Sequence, residues 1–518
     1  MNNGKIKITV FMILVIILLN GLVLSYKYLE KDKEIIDNGE TKKVSLPNKM
    51  LGNELESFDL YFLKLENGKK NMLYSPLSIK YTLEMLNDAA NGNSKNQIES
   101  VVGEYKPKKY NNNSNMSFAN GLFVRNSYKN SIKQEYINSL KEKYNAEVIY
   151  DDFKTTSNIN NWFSNKTFKL INNIVDDVSD NDFLLINALS IDMEWKYLIQ
   201  PLSTSENVSN YPGTGMGWIA YYPHEDYRAY VSKIGDNEIQ YPTLSFNNNS
   251  IDAKSVDIGA SANKYDIVTI LKEENIRKTV SEAYKEFVKN KTCGEGPYED
   301  EKTVLDRYIK EIKTGYKQIS SSTDFEFYVD DEVKVFEKEL KEYNGTTLEY
   351  IGIMPTNQTL DKYIETITVE KLNKIINSLK KIELDSFEEG VITRIKGRLP
   401  LFKFDYELNL MDDLKNLGIV DVFDKEKSNL TNITKEKAYI NKTIHKSNIE
   451  FSNQGIKASA ATLAGGAGAA GCSFEYKYEV PVKEIDLTFD KPYIFLIRDK
   501  NTHEVWFIGS VYEPINNK

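Results

Sequence analysis

The chain holds three histidines, His224, His445 and His503, and two cysteines, Cys293 and Cys472, in 518 residues. Histidine and cysteine are common general bases, nucleophiles and metal ligands, so their surroundings bear most directly on catalysis. His224 lies in "PHEDY", which lacks the second histidine of a zinc site. "IGASANK", Ile258 to Lys264, offers a serine among small residues but no strained elbow. No HExxH, GxSxG or Walker loop is present. The cysteines have neither metal nor redox spacing, and cysteine poverty suits an exported protein that does not depend on disulfides. Carboxylates are too abundant to single out a catalytic pair. The chain is therefore expected to be no enzyme and to take no metal and no cofactor.

The remaining chemistry is that of the backbone. In "NQGIKASAATLAGGAGAAGCS", Asn453 to Ser473, nearly every residue from Ala458 to Gly471 is Ala, Gly, Ser or Thr. The run has no proline, and Lys457 is its only charge. A small-residue tract is usually a flexible linker, which joins two units that each stand alone. Beyond Ser473 only the strand signals "EIDLTF", "YIFLIRD" and "EVWFIGSV" remain. A lone hairpin is marginal in water. The tract thus reads as an internal loop closed at both ends by one domain.

The elements that must position this loop are mixed. "SPLSIKYTLEMLNDAA" reads as a helix with Ser75 as its N-cap and Pro76 at the first helical position. "EYINSLKEKYN", "NINNWFSNKTFKLINNIV", "TVEKLNKIINSLKK" and "LMDDLKNLGIVDVF" also read as helices. "SFANGLFVR", "DFLLINALSIDMEW", "TLEYIGIMP" and "GRLPLFKFDYELNL" read as strands. Without a regular βαβ rhythm the class is α+β. Hydrophobic content of 41% and charged content of 27% are ordinary for a globular body. The net charge of -9 is spread along the chain, and no basic stripe points to nucleic acid. At the N-terminus "ITVFMILVIILLNGLVL", Ile8 to Leu24, is an apolar run of about 17 residues, the lower limit for a tilted spanning helix. No convincing small-x-small cleavage site follows it. Residues 1–25 are accordingly expected to be a signal-anchor, with 26–47 a polar spacer and 48–518 the body. A cleaved signal and secretion are the alternative. The stretch from about 203 to 322 is too long for a plain loop and is expected to be an inserted subdomain.

The order of motifs resembles that of the serpins, the serine protease inhibitor superfamily. "NMLYSPLSIKYTLEMLNDAANGNSKNQI" and "ANGLFVRNSYKNSIKQEYINSLKEKYNAEVIYDDF" are similar to two consecutive family segments. "INALSIDMEW" is similar to the strand that carries the family's Asn-Ala and Trp. "LKEYNGTTLEYIGIMP", "LKNLGIVDVF", "IHKSNIEFSNQG" and "LTFDKPYIFLIRD" follow in order, the last with Tyr493 where phenylalanine is usual. Two departures stand out. The stretch between Trp195 and Pro355, and the loop from Gly455 to Pro492, are longer than the family norm.

The resemblance implies three β-sheets, eight to nine helices and an exposed reactive-centre loop. It implies an inhibitor that a protease cuts once, after which the loop before the cut inserts into the main sheet and traps the acylated enzyme. The hinge would be Gly455, Ile456, Lys457, Ala458, Ser459, Ala460, Ala461 and Thr462. By the family's spacing Ile456, Ala458, Ala460 and Thr462 would face inward. Ser75, Ser78, Asn187 and His445 look like the polar cluster beneath the opening sheet, and Trp195 like the tryptophan at its top. Family spacing puts the scissile bond at Ala469–Ala470, with Gly471–Cys472 or a bond near Phe474 as alternatives. An Ala or Gly bait favours elastase-like or subtilisin-like enzymes. The expected partner is a serine protease, or else a cysteine protease, held in a covalent complex. The inhibitor would be a monomer, anchored by its N-terminal helix in a bacterial-type membrane with the body outside the cytoplasm. The competing reading is a non-inhibitory serpin that binds or adheres through its insert.

Overall fold

The computed structural model describes residues 32–37, 40–197, 199, 241–258, 260–262, 273–290, 298–315, 325–381, 392–443, 445–452, 474 and 482–515. The apolar run Ile8–Leu24, both cysteines, His224 and the tract 453–473 lie outside these residues. Strands β1 (Asp32–Asp37) and β2 (Glu40–Ser45) make an antiparallel hairpin within the stretch read as a spacer.

The body begins with helix α1 (Ser57–Leu65), whose start is closed by a reciprocal Glu56–Asp59 capping box. After the short β3 (Met72–Tyr74), helix α2 (Pro76–Ala89) starts as its sequence predicts: the Ser75 Oγ accepts from the Ser78 amide at 3.0 Å, with Pro76 next to the cap. Helix α3 (Gly92–Val102) precedes β4 (Met116–Arg125), which is buried on both faces except at its last residue. Helix α4 (Gln134–Tyr144) stops at Asn145, in the left-handed conformation at φ 52°. Strand β5 (Glu147–Asp151), helix α5 (Ser157–Lys166) and β6 (Phe183–Ile191) complete this half.

The stretch read as one insert is heterogeneous. Strands β7 (Thr243–Phe246), β8 (Ile251–Asp257) and β9 (Ala260–Ala262) pair into the body. Helices α6 (Glu273–Lys289) and α7 (Glu301–Gly315) instead form an antiparallel pair, with Arg277 2.9 Å from Asp306 and Lys285 3.2 Å from Glu301. Then come β10 (Glu326–Val329), β11 (Val333–Glu339), β12 (Leu348–Pro355), α8 (Leu360–Thr366) and α9 (Val369–Ile376). The chain ends with β13 (Ile392–Lys396), β14 (Arg398–Pro400), β15 (Phe402–Leu408), α10 (Leu410–Asn416), β16 (His445–Phe451), β17 (Val482–Asp486), β18 (Tyr493–Asp499) and β19 (Val505–Val511). The described residues thus hold ten α-helices, two of them the pair α6 and α7.

One sheet is complete: six antiparallel strands in the order β10-β11-β12-β18-β19-β3. Gly509 of β19 is needed there. A Cβ at that position would lie 2.4 Å from the Phe495 ring and 2.5 Å from the Met72 carbonyl, closer than packed atoms come. A second sheet is a long ribbon, with β17-β13-β9 at one end and β14-β8-β7 at the other. The ribbon turns at Gly397, where a Cβ would meet Ile258 and the Leu487 carbonyl at 2.9 Å. Strands β5-β4-β6 form a three-stranded sheet and β15-β16 a two-stranded one; the two line one cavity and are together termed the divided sheet.

A buried charge pair lies under this assembly. Lys80 of α2 and Asp59 of α1 are both fully buried, with Nζ 2.6 Å from Oδ1. The opposite charges attract across this short contact. Burial pushes the Asp59 carboxyl up and Lys80 pulls it back down. Breaking such a pair costs more than removing it whole. Lys80→Ala is expected to destabilise the protein by about 3–5 kcal/mol in urea unfolding. Asp59→Asn with Lys80→Met should recover more than half of that loss; a double variant as unstable as the single one would count against this account.

Candidate functional site

The divided sheet is where the predicted residues meet. Strand β6 pairs only with β4, and β16 only with β15, among the described residues. Their facing edges therefore carry no ladder between them. Unpaired edges of this kind are templates for an added strand. Between them lies a cavity of about 240 Å³. Ser190, Ile191 and Asp192 line it from the end of β6, and Asn448, Ile449 and Glu450 from β16. Leu73, Ile497 and Phe507 of the six-stranded sheet line it too, as do Phe168 and Leu170 from the segment after α5.

Four of the five predicted residues come together at the first turn of α2. The Ser75 amide donates to Nε2 of His445 at 2.9 Å, and Ser447 Oγ lies 3.3 Å from the same nitrogen. In the same turn, the Ser78 hydroxyl donates to Oδ1 of Asn187. Asn187 Nδ2 in turn donates to Asn120 Oδ1 at 2.5 Å, and Asn120 Nδ2 to the Tyr144 carbonyl at 2.8 Å. The start of one helix thus holds β16 through His445 and β6 through Asn187. Asn120 and Ser447 escaped the sequence reading. A buried asparagine within the apolar "SFANGLFVR" was the available signal, and it sits directly opposite Asn187 in the β4–β6 register.

Trp195 lies apart, past the end of β6, and is fully buried. Its Nε1 donates to the Ser452 carbonyl at 3.0 Å, the position where β16 gives way to the small-residue tract. Its indole packs edge-on against Phe451 at 5.6 Å and Tyr350 at 6.0 Å. Two ion pairs flank it: Lys196 to Glu339 at 2.5 Å and Lys341 to Glu194 at 2.6 Å. Burial pushes Glu339 up, but hydrogen bonds and charge from Lys196 and Lys500 win and hold its carboxyl at about 2. The predicted hinge, Gly455 to Thr462, and the bond Ala469–Ala470 lie outside the described residues. Among the described residues no group of His, Cys, Asp or Glu could hold a metal ion.

The cluster has an electrostatic signature. Burial alone pushes the His445 imidazole down to about 4. The ring is neutral in the fold, and Nε2 is free to accept the Ser75 amide only in that state. The unfolded chain takes up the proton below its ordinary value of about 6.5. Stability from the neutral ring is therefore full above about pH 6.5 and is lost as the pH falls toward 4, by about 3 kcal/mol in all. In urea unfolding at pH 7 and pH 4.5, His445→Gln is expected to show about 2–3 kcal/mol less acid sensitivity than the parent. Equal acid sensitivity in the two proteins would contradict the neutral, accepting histidine.

Comparison with known proteins fits this geometry. Human neuroserpin is 24% identical over 484 residues, covering 87% of this chain and 88% of its own. A shorter match to leukocyte elastase inhibitor A of Mus musculus is 30% identical over 173 residues, or 33% of this chain and 42% of that protein. The native-state crystal structure of tengpin, a thermophilic serpin, superposes with a TM-score of 0.55 at 18% identity, covering 93% of this chain and 100% of that one. The family described as Serpin (serine protease inhibitor) matches residues 57–209 and 226–514. With that match over most of its length, the chain belongs to the serpin family, whose members are generally protease inhibitors rather than catalysts.

Proposed function

We propose that this serpin inhibits proteases by suicide cleavage, with the cut hinge entering the gap between β6 and β16. The observation that carries the reading is the pair of facing, unladdered edges with a cavity between them. The tract of small residues runs on directly from β16. A hinge that must be both exposed loop and interior strand needs small side chains and no proline, which would remove a ladder hydrogen bond. Insertion of roughly 14 residues at ~0.5–1.5 kcal/mol per net hydrogen bond supplies on the order of 10 kcal/mol. That is comparable with the ~5–15 kcal/mol stability of a typical domain, enough to distort a protease held at the loop.

The target is an enzyme with a small specificity pocket, elastase-like or subtilisin-like, cutting at Ala469–Ala470. The protein acts as a monomer held at a membrane by Ile8–Leu24. The alternative of a binding protein that works through its insert is weakened by α6 and α7, whose shared apolar face is occupied by Phe474 of this same chain.

Incubation with an elastase should give a complex that survives SDS, with the loop cut within 458–471. Thr462→Arg should leave the uncut protein unchanged but place an unpaired guanidinium inside the sheet after cleavage, at a cost of several kcal/mol. That variant is expected to be consumed as a substrate, whereas Ser459→Arg on the outward face should still trap enzyme. A covalent complex at parental stoichiometry from Thr462→Arg would refute the insertion register. On fractionation, full-length chain is expected in the membrane pellet, released by detergent and not by salt. A mature N-terminus near Tyr26 in the medium would show secretion instead.

A further inference from the structure

Helices α6 and α7 have a core of their own. Ile276, Val280 and Tyr284 recur at four-residue spacing along α6, and Val304, Tyr308 and Ile309 face them from α7. Among the described residues, one member of this cluster comes from elsewhere in the chain: Phe474, just past the small-residue tract. Its ring is buried edge-on between Tyr284 at 5.1 Å, Phe287 at 5.3 Å and Tyr308 at 5.5 Å. The Tyr308 hydroxyl donates to the Phe474 carbonyl at 2.8 Å.

These contacts bear on how a protease would read the loop. To cut after Phe474, an enzyme must take the phenyl ring into its specificity pocket and attack the Phe474 carbonyl. Here the ring is held by three aromatic side chains, and the carbonyl is capped by a tyrosine. We propose that the helical pair is a specificity device: a socket that withholds Phe474 from proteases with large apolar pockets and leaves the small residues on its amino-terminal side as the bait. Phe287, Tyr284 and Tyr308 are its specificity-determining residues. The device rests on the inhibitory reading for its purpose, but the protection of Phe474 does not depend on that reading. Phe474 lies on the carboxyl-terminal side of a cut at Ala469–Ala470, so the socket does not hold the segment that would insert.

The test is a cleavage map by mass spectrometry after limited digestion with chymotrypsin, which prefers large aromatic residues. A synthetic peptide of residues 468–480 serves as the unprotected reference. Cleavage after Phe474 in the intact protein is expected to be at least tenfold slower than in the peptide. Tyr284→Ala with Tyr308→Ala should bring the rate toward that of the peptide. Tyr308→Phe, which keeps the ring and frees only the carbonyl, should give an intermediate rate, and it tests the socket if the double variant does not fold. Cleavage after Phe474 in the parent as fast as in the peptide would overturn the proposal, as would variants no faster than the parent. A parallel incubation with elastase separates the two readings: absence of a covalent complex there would count against inhibition while leaving the chymotrypsin map to decide on the socket.

Discussion

The two parts of the divided sheet are bridged from beneath. A sheet normally owes its continuity to the backbone ladder between neighbouring strands. At the β6–β16 seam that ladder is missing, and side chains take over. Ser78 reaches Asn187 on one side, and the Ser75 amide reaches His445 on the other. Both donors lie in the first turn of a single helix. Farther along, Trp195 closes the seam a second time by donating to Ser452. Two small sets of hydrogen bonds thus do what a full ladder does elsewhere. These contacts are fewer than the bonds of a full ladder and, at about 1 kcal/mol net apiece, are exchanged at correspondingly less cost.

The rest of the fold gives this seam something firm to open against. The six-stranded sheet is continuous, and its strands β18 and β19 are buried almost throughout. Phe402, Phe451, Tyr350 and Phe495 stack through the contact between the two sheets, with centroids 5.0–5.6 Å apart in successive pairs. On the proposed mechanism, with one sheet continuous and the other divided, an added strand would enter at the β6–β16 gap. The close approach at Gly509 contributes to that rigidity, because no side chain separates β19 from β3 and Phe495 there.

Much of this was legible in the sequence for local reasons. The Ser-Pro pair announces the start of α2, the apolar run around Asn187 places that residue on a buried strand, and the resemblance of "IHKSNIEFSNQG" to a family strand places His445. The partner of Asn187 was harder to find, because Asn120 is an ordinary residue type whose meaning comes from the strand register. Strands β7 and β8 were absorbed into a supposed insert. They are short and rich in polar residues, and Asn247, Asn248 and Asn249 turn between them at positive φ. Their burial depends on β14, encoded far downstream, so nothing local marks them as structural. The Phe474 socket was hidden for the same reason: helices and phenylalanine are distant in the chain, and the apolar faces of α6 and α7 indicate only that something must cover them.

The pinning of Phe474 also has a mechanical meaning. A loop held at Ser452 by Trp195 and at Phe474 by the helical pair is a span with two clamps. Compared with a loop running on to β17, it is shorter by about a quarter, which alters its closure entropy by only a few tenths of a kcal/mol. The clamps therefore change the cost of closing the span very little. They matter when it is severed. On the proposed mechanism, a cut on the tract side of Phe474 would leave the short stub with the helices and release the long arm toward β16. The displacement would then be one-sided, as in a cord cut close to one of its fastenings.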